Sequence, residues 1–352
     1  MSYSFDPDLS RAATLPSSFY VEPEALAREE ETVFSRTWQL VGREEQVREN
    51  GSFFAATVGR EPLLVVRGAD GQLRAMSNVC RHRAGPVVSG EGNKPVLQCG
   101  YHGWTYALDG TLLKTPEMDG AVEFEREALC LPRFNVDTWN QLIFVNLDPR
   151  AESLREYLGD LVASVGRRDY SGYRLAARKE WEVACNWKVY VDNYLEGYHI
   201  PIVHPSLFRE IDYPNYRTEI RNNFSIQHAP LKRRERLRAA GEAEVDYYWL
   251  FPNLMLNMYP DNFSTNLIVP RGHDRTVTIF EWYFRDPDDP AVRARLSDTI
   301  AFSDEIQLED IAICEAVQRG LRSRTYVAGR YSPRRENGVH HFHGLYARYV
   351  GL

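Results

Sequence analysis

Cys80 and His82, then Cys99 and His102, stand as Cys-x-His and Cys-x-x-His with residues 83–98 between them. Two thiolates and two imidazoles on paired loops match the ligands of a [2Fe–2S] cluster in which two His replace two Cys on one iron, raising its potential. Structural zinc would use the same atoms, but zinc fingers pair Cys with Cys and His with His, whereas each loop here offers one of each. Gly85, Gly100 and Gly103 would let the backbone approach inorganic sulfur and donate N–H bonds to it. A one-electron carrier needs a destination, and residues 186–205 offer one. His199 and His204 lie five apart with Pro201 between them, which disfavours an uninterrupted helix. The segment reads as a helix carrying Glu196 and His199 near its end, then a turn presenting His204. Two His and one carboxylate on one face would hold iron with positions left open for dioxygen. The carboxylate must come from far away in sequence. The helical stretch 303–318 offers Asp304, Glu305, Glu309, Asp310 and Glu315, and an acid among Ile306, Ile311 and Ile313 would lie near a buried stripe.

The elements that must position these groups show in the patterning. Residues 1–36 read as a polar lead-in with a short helix over 23–34, a segment expected to pack on the domain formed by residues 150–352. Residues 37–149 are β-rich, with strands at 52–58, 62–67, 71–76 and 142–147 separated by Asn50-Gly51, Asp70-Gly71 and Asp109-Gly110. Asp148-Pro149 marks a boundary before a helical pattern at 153–165. In residues 150–352, stretches 254–259, 265–269 and 276–284 predict strands of one sheet, and 289–320 predicts a long helix ending at Gly320. His340, His341 and His343 read as a polar strand end, and the basic run 232–238 as a solvated helix face or loop. Cys130, Cys185 and Cys314 lack neighbours at ligand spacing and read as core residues.

Composition narrows the class. The 352-residue chain carries a formal net charge of −7, which argues against a nucleic-acid binder. Its N-terminal residues lack an apolar signal-peptide core, and runs such as 142–145 are too short to span a bilayer. Five scattered cysteines are not a disulfide framework, so a reducing cytoplasm is expected. No Gly-x-Gly-x-x-Gly follows a strand and no flavin pattern is visible, so electrons must come from a separate NAD(P)H-dependent reductase, alone or with a ferredoxin. Arg81, Arg83 and Lys94 flank the cluster loops, where they would either brace the loops or meet an acidic carrier. Asn257, Tyr259, Asn262, Phe263 and Asn266 suit a pocket lining on half-buried strands. Tyr194 and Tyr198, beside the iron segment, would cage a quaternary ammonium or stack on an aromatic substrate.

Cys80-Arg81-His82-Arg83-Ala84-Gly85 with Cys99-Gly100-Tyr101-His102-Gly103-Trp104-Thr105-Tyr106, together with the segment 186–205, resembles the Rieske non-haem iron oxygenases over nearly the whole chain. Gly100 departs from that family's frequent proline without touching a ligand. The resemblance implies an α+β chain: an all-β Rieske domain and a helix-grip catalytic domain with a central antiparallel sheet. It implies Cys80, His82, Cys99 and His102 on the [2Fe–2S] cluster. It implies His199, His204 and Asp310 on a mononuclear Fe(II) that uses O2, with Glu309 the competitor of Asp310. It further implies a homotrimer in which Glu196 bridges His199 or His204 to His102 of a neighbouring subunit. Glu196, with residues 314–321, 329–333 and 341–343, resembles the branch of the family acting on quaternary ammonium compounds, choline among them. The expected function is a terminal oxygenase component that hydroxylates or oxidatively demethylates a small organic substrate. An aromatic ring-hydroxylating dioxygenase is the alternative within the class. A Rieske-type electron carrier without its own oxygenase site is the alternative outside it, opposed by the roughly 200 residues beyond the first domain.

Overall fold

The computed structural model describes residues 3–166, 170, 172–232 and 244–352. They fall into two compact units, Glu30–Tyr157 and Met1–Glu29 with Leu158–Leu352. The first is a contiguous stretch of the chain, and the second is formed by the segments before and after it. Residues 233–238 of the basic run lie outside the described residues.

The contiguous unit is β-rich. Its seven-stranded sheet runs in the order Gln39–Arg43, Leu142–Asn146, Arg133–Trp139, Leu73–Ser77, Glu61–Arg67, Ser52–Val58, Glu91–Asn93, every pairing antiparallel. A small sheet of Leu97–Gln98, Thr105–Tyr106 and Leu112–Lys114 carries the second Cys/His loop. Gly51 and Gly71 take positive φ, the left-handed geometry the turn dipeptides predict. Leu64, Val66, Met76, Trp104 and Tyr106 pack with Cys80 and Cys99 in one buried core.

The second unit is built on a seven-stranded antiparallel sheet. Its order is Arg174–Val183, Arg275–Phe284, Asn262–Gly272, Leu254–Met258, Glu244–Leu250, Phe224–Pro230, Arg217–Ile220. Register places Gln227 opposite Tyr247, Tyr247 opposite Asn257, Asn257 opposite Ser264 and Ser264 opposite Trp282. Side chains alternate along a strand, so this row and its second neighbours share one face. That face meets the helices: the Tyr194 hydroxyl donates to Asn257 Oδ1 at 2.8 Å and the Gln307 amide to Thr278 Oγ1 at 3.0 Å.

Three helices position the chemistry. Asn186 caps Trp187–Tyr194, its side chain accepting the Lys188 N–H. This helix stops before Glu196, whose carboxylate accepts the backbone N–H groups of Tyr198 and His199. Such local bonds compete with helix propagation, and they replace the expected longer helix with a turn. Asp289 caps the long helix Pro290–Leu321 through the N–H groups of Ala291 and Val292. That helix runs past Gly320 to its cap at Arg322. Its buried stripe is Gln307, Cys314, Gln318 and Leu321, not the isoleucines, and Ile313 is exposed. Asp310 falls between Gln307 and Cys314 at helical spacing. The third helix, Asn337–Val350, contains His340, His341 and His343, correcting the expected strand end. Its buried Val339, Phe342, His343, Tyr346 and Val350 recur at helical period. The pattern at 153–165 resolves into two short helices, Leu154–Leu158 and Leu161–Val165.

A buried ion pair ties these pieces together. Lys188 Nζ lies 2.6 Å from Glu29 Oε1, and both side chains are fully buried. The Trp187 indole N–H and the Tyr346 hydroxyl also donate to Glu29, and Lys188 donates to Asn186 Oδ1. Burial pulls the Lys188 pKa down while Glu29 opposes the fall. A buried pair is tolerated when hydrogen bonds occupy its remaining positions, and Trp187, Tyr346 and Asn186 supply them here.

Candidate metal centres and active site

In the contiguous unit, backbone bonds shape two loops. Cys80 N–H donates to Gly85 O and Ala84 N–H to Cys80 O; Cys99 N–H donates to Trp104 O and Gly103 N–H to Cys99 O. Added to Gly85, a Cβ would sit 3.3 Å from Cys99 Sγ, so glycine keeps this cradle open. Burial raises the Cys99 thiol pKa, while the Tyr101 and His102 N–H groups lower it by pointing at the sulfur. Cys80 and Cys99 are buried, His82 is half-buried and His102 exposed. The two Nδ1 atoms face each other at 3.2 Å, and Trp104 stacks on His82 with ring centroids 4.9 Å apart. Two buried cysteines and two more exposed histidines fit the donor set of a [2Fe–2S] cluster, which these four residues would hold. Tyr106, which sequence reasoning did not single out, places its hydroxyl 3.3 Å from Cys80 Sγ and accepts the Arg81 N–H at 3.0 Å. Hydrogen bonds at cluster sulfurs tune potential.

In the second unit, His199, His204 and Asp310 bring one ligand atom each to within 4.8 Å of one another. Among the described residues this is the group that converges as a single ion requires. Cys80, His82, Cys99 and His102 do not form such a group, as tetrahedral zinc would demand. His204 Nε2 lies 3.0 Å and His199 Nε2 3.9 Å from Asp310 Oδ1. On the opposite edges of the rings, His199 Nδ1 meets Glu196 Oε1 at 2.6 Å and His204 Nδ1 meets Glu309 Oε2 at 2.6 Å. Glu309 therefore sits across His204 from Asp310, away from the convergent trio. The Asn193 amide donates to Asp310 Oδ1 at 2.6 Å, a contact that no local spacing signals. Burial alone would lower the His204 pKa, but its bonds to Asp310 and Glu309 overcome that and raise it.

The expected pocket residues divide. Tyr194, Asn257 and Asn266 join one network, in which Asn257 Nδ2 donates to Ser264 Oγ at 3.0 Å and Asn266 Oδ1 at 3.2 Å. Tyr259 lies edge-to-face with Tyr247 at 6.2 Å between centroids. Tyr198 is 57% exposed on its turn and stands outside this network, because the helix that would have turned it inward ends at Tyr194. The sequence reading missed Tyr216, Gln227 and Tyr247. The Tyr216 hydroxyl donates to Gln227 Oε1, and the Gln227 amide to Tyr194 O. Period-two alternation aligned with Asn257 was the signal for Gln227 and Tyr247. Burial raises the pKa of Tyr194, Tyr216, Tyr247 and Tyr259, so all four are neutral phenols at physiological pH.

A family model for the Rieske [2Fe-2S] domain matches residues 37–134, and one for the ring hydroxylating alpha subunit (catalytic domain) matches residues 170–352. The chain belongs to the Rieske ring-hydroxylating oxygenase alpha subunits. This Rieske oxygenase is an oxidoreductase with a [2Fe–2S] cluster in one unit and a mononuclear iron in the other. It is 36% identical to chloroplastic choline monooxygenase of Arabidopsis thaliana over 97% of this chain and 84% of that protein. It is 30% identical to the carnitine monooxygenase oxygenase subunit of Escherichia coli (strain K12), covering 98% and 96% of the two chains. A crystallised quaternary ammonium Rieske monooxygenase, described for carnitine oxidation by gut microbiota and inter-subunit electron transfer, superposes with a TM-score of 0.87. Identity there is 26%, with 99% of this chain and 100% of that chain covered. No helix among the described residues is long and apolar enough to cross a membrane.

Proposed function

We propose that this Rieske oxygenase oxidises a quaternary ammonium compound, by hydroxylation or oxidative N-demethylation, with electrons from a separate NAD(P)H-dependent reductase. The observation that carries the reading is the convergence of His199, His204 and Asp310, in a unit whose helices and sheet also share a network of neutral tyrosines and amides. His199, His204 and Asp310 would hold the iron, and Cys80, His82, Cys99 and His102 the cluster. Bound there, the iron supplies dioxygen activation, which takes two electrons and two protons from outside for each oxygen atom inserted. Glu196 and Glu309 would each accept a hydrogen bond from a histidine Nδ1–H, which would leave both Nε2 lone pairs for the metal. Asn193 orients the Asp310 carboxylate. The faces of Tyr194, Tyr247 and Tyr259 would attract a trimethylammonium group through cation–π contact, while Asn257 and Asn266 supply polar partners for the rest of the molecule. In a homotrimer, Glu196 would link His199 to the cluster ligand His102 of the neighbouring subunit. The inter-subunit transfer described for the crystallised relative supports that arrangement. Substrate-dependent oxygen uptake with a surrogate reductase, across choline, betaine, carnitine and aromatic acids, tests the reading. Uptake coupled to product with a methylammonium substrate is expected. Coupled uptake with aromatic acids alone would move the enzyme to the ring-hydroxylating side.

A further inference from the structure

Glu309 and Asp310 are consecutive residues of the long helix, yet they meet opposite edges of one imidazole. His204 Nδ1 is 2.6 Å from Glu309 Oε2, and His204 Nε2 is 3.0 Å from Asp310 Oδ1. The His204 side chain is 2% exposed, so no water competes for either ring nitrogen, whereas Glu309 keeps 29% of its side chain exposed. A carboxylate accepts but does not donate, so Glu309 would hold the proton of a metal-bound His204 on Nδ1 and leave Nε2, on the edge facing Asp310, free for the metal. Glu196 does the same for His199, but its other oxygen is occupied by the Tyr198 and His199 N–H groups. Backbone donors thus lock Glu196 into the turn it shapes, while Glu309 rests on the helix that also carries Asp310.

We propose that Glu309 is a positioning residue for the mononuclear metal. Together with its neighbour Asp310 it clips His204 between two consecutive carboxylates of the helix, and it governs how tightly and in what geometry the metal is held. This rests on His199, His204 and Asp310 being the metal site. Loss of a carboxylate that orients a metal-bound histidine costs roughly 10–100-fold in metal affinity. Glu309→Gln keeps an acceptor oxygen and loses the charge; Glu309→Ala loses both.

The experiment titrates Co(II) and Fe(II) into protein that keeps its cluster but has been stripped of the mononuclear metal. Wild type, Glu309→Gln and Glu309→Ala are compared, with thermal melting as the check on folding. Affinity is expected to fall in the order wild type, Gln, Ala, with Ala weaker than wild type by roughly 10–100-fold. The visible ligand-field spectrum of the Co(II) form should shift in Glu309→Ala and be largely restored in Glu309→Gln, a signature that a merely structural role would not produce. Affinities within about twofold of wild type and an unchanged Co(II) spectrum in folded variants overturn the proposal. Should Glu309→Ala fail to fold, the isosteric Gln variant decides: unchanged affinity overturns the proposal, and weakened affinity supports it. If wild type itself binds no metal there, the assignment of the site fails instead.

Discussion

At Glu196 a single side chain is asked to do two jobs. One oxygen holds His199 Nδ1, and the other accepts two backbone N–H groups that stop the preceding helix. Glu196→Gln retains an acceptor for the histidine and shortens nothing. It should leave both metal centres assembled, with normal iron content and an intact reduced-cluster EPR signal. Coupled product formation should drop by roughly 10–100-fold or more. Single-turnover reaction of the reduced enzyme with substrate and dioxygen would check this, and wild-type product yield at wild-type rate would remove Glu196 from the electron path. The sequence singles out Cys80, Cys99, His199 and His204 as candidate ligands because their spacing is local and their chemistry unusual. The resemblance favours Asp310 over Glu309, whereas residue type alone does not separate two consecutive acids, since the choice depends on how a remote helix rotates against His204. Asn193 was invisible for the same reason: its amide acquires meaning only once Asp310 arrives from the far end of the chain.

The three helices show where local patterning prevails and where it does not. Asp289 and Pro290 announce the start of the long helix, and it begins there. The histidine-rich stretch 340–343 reads as a strand end, yet packing of Phe342, Leu345 and Tyr346 makes it helical. Within that helix, His341 has its Nε2 buried without a hydrogen-bond partner among the described residues. Burial, with the charge of Arg348 next in weight, pushes its pKa down to about 4. The folded state thus binds fewer protons at this site than the unfolded chain, whose histidine titrates near 6.5. Its stabilising contribution is present above about pH 6.5 and is lost as pH falls through about 4, amounting to ~3 kcal/mol in full. Wild type should therefore lose more stability between pH 7 and pH 4.5 than His341→Gln, measured by denaturant unfolding at both values. Parallel losses in the two proteins would remove His341 from the acid response.

For the whole molecule, the sequence conveyed the class of both units and the direction of the β-to-helix change, while the sheet order depends on contacts far apart in the chain. The oxygenase should consume no oxygen with NADH and substrate alone, and should do so once a compatible reductase is added. Oxygen-electrode traces before and after that addition read the result, and NADH oxidation by the isolated chain would contradict a separate donor. The buried pair Glu29–Lys188 carries a further meaning for the order in which the protein is made. Glu29 is synthesised long before Lys188, and longer still before Tyr346, which completes its hydrogen bonding. The intervening stretch Glu30–Tyr157 has its own core and can fold as it emerges. Glu29 must meanwhile remain hydrated, since burying it without its cation would be strongly unfavourable. The oxygenase unit therefore closes last, around a carboxylate that has waited in water through most of translation.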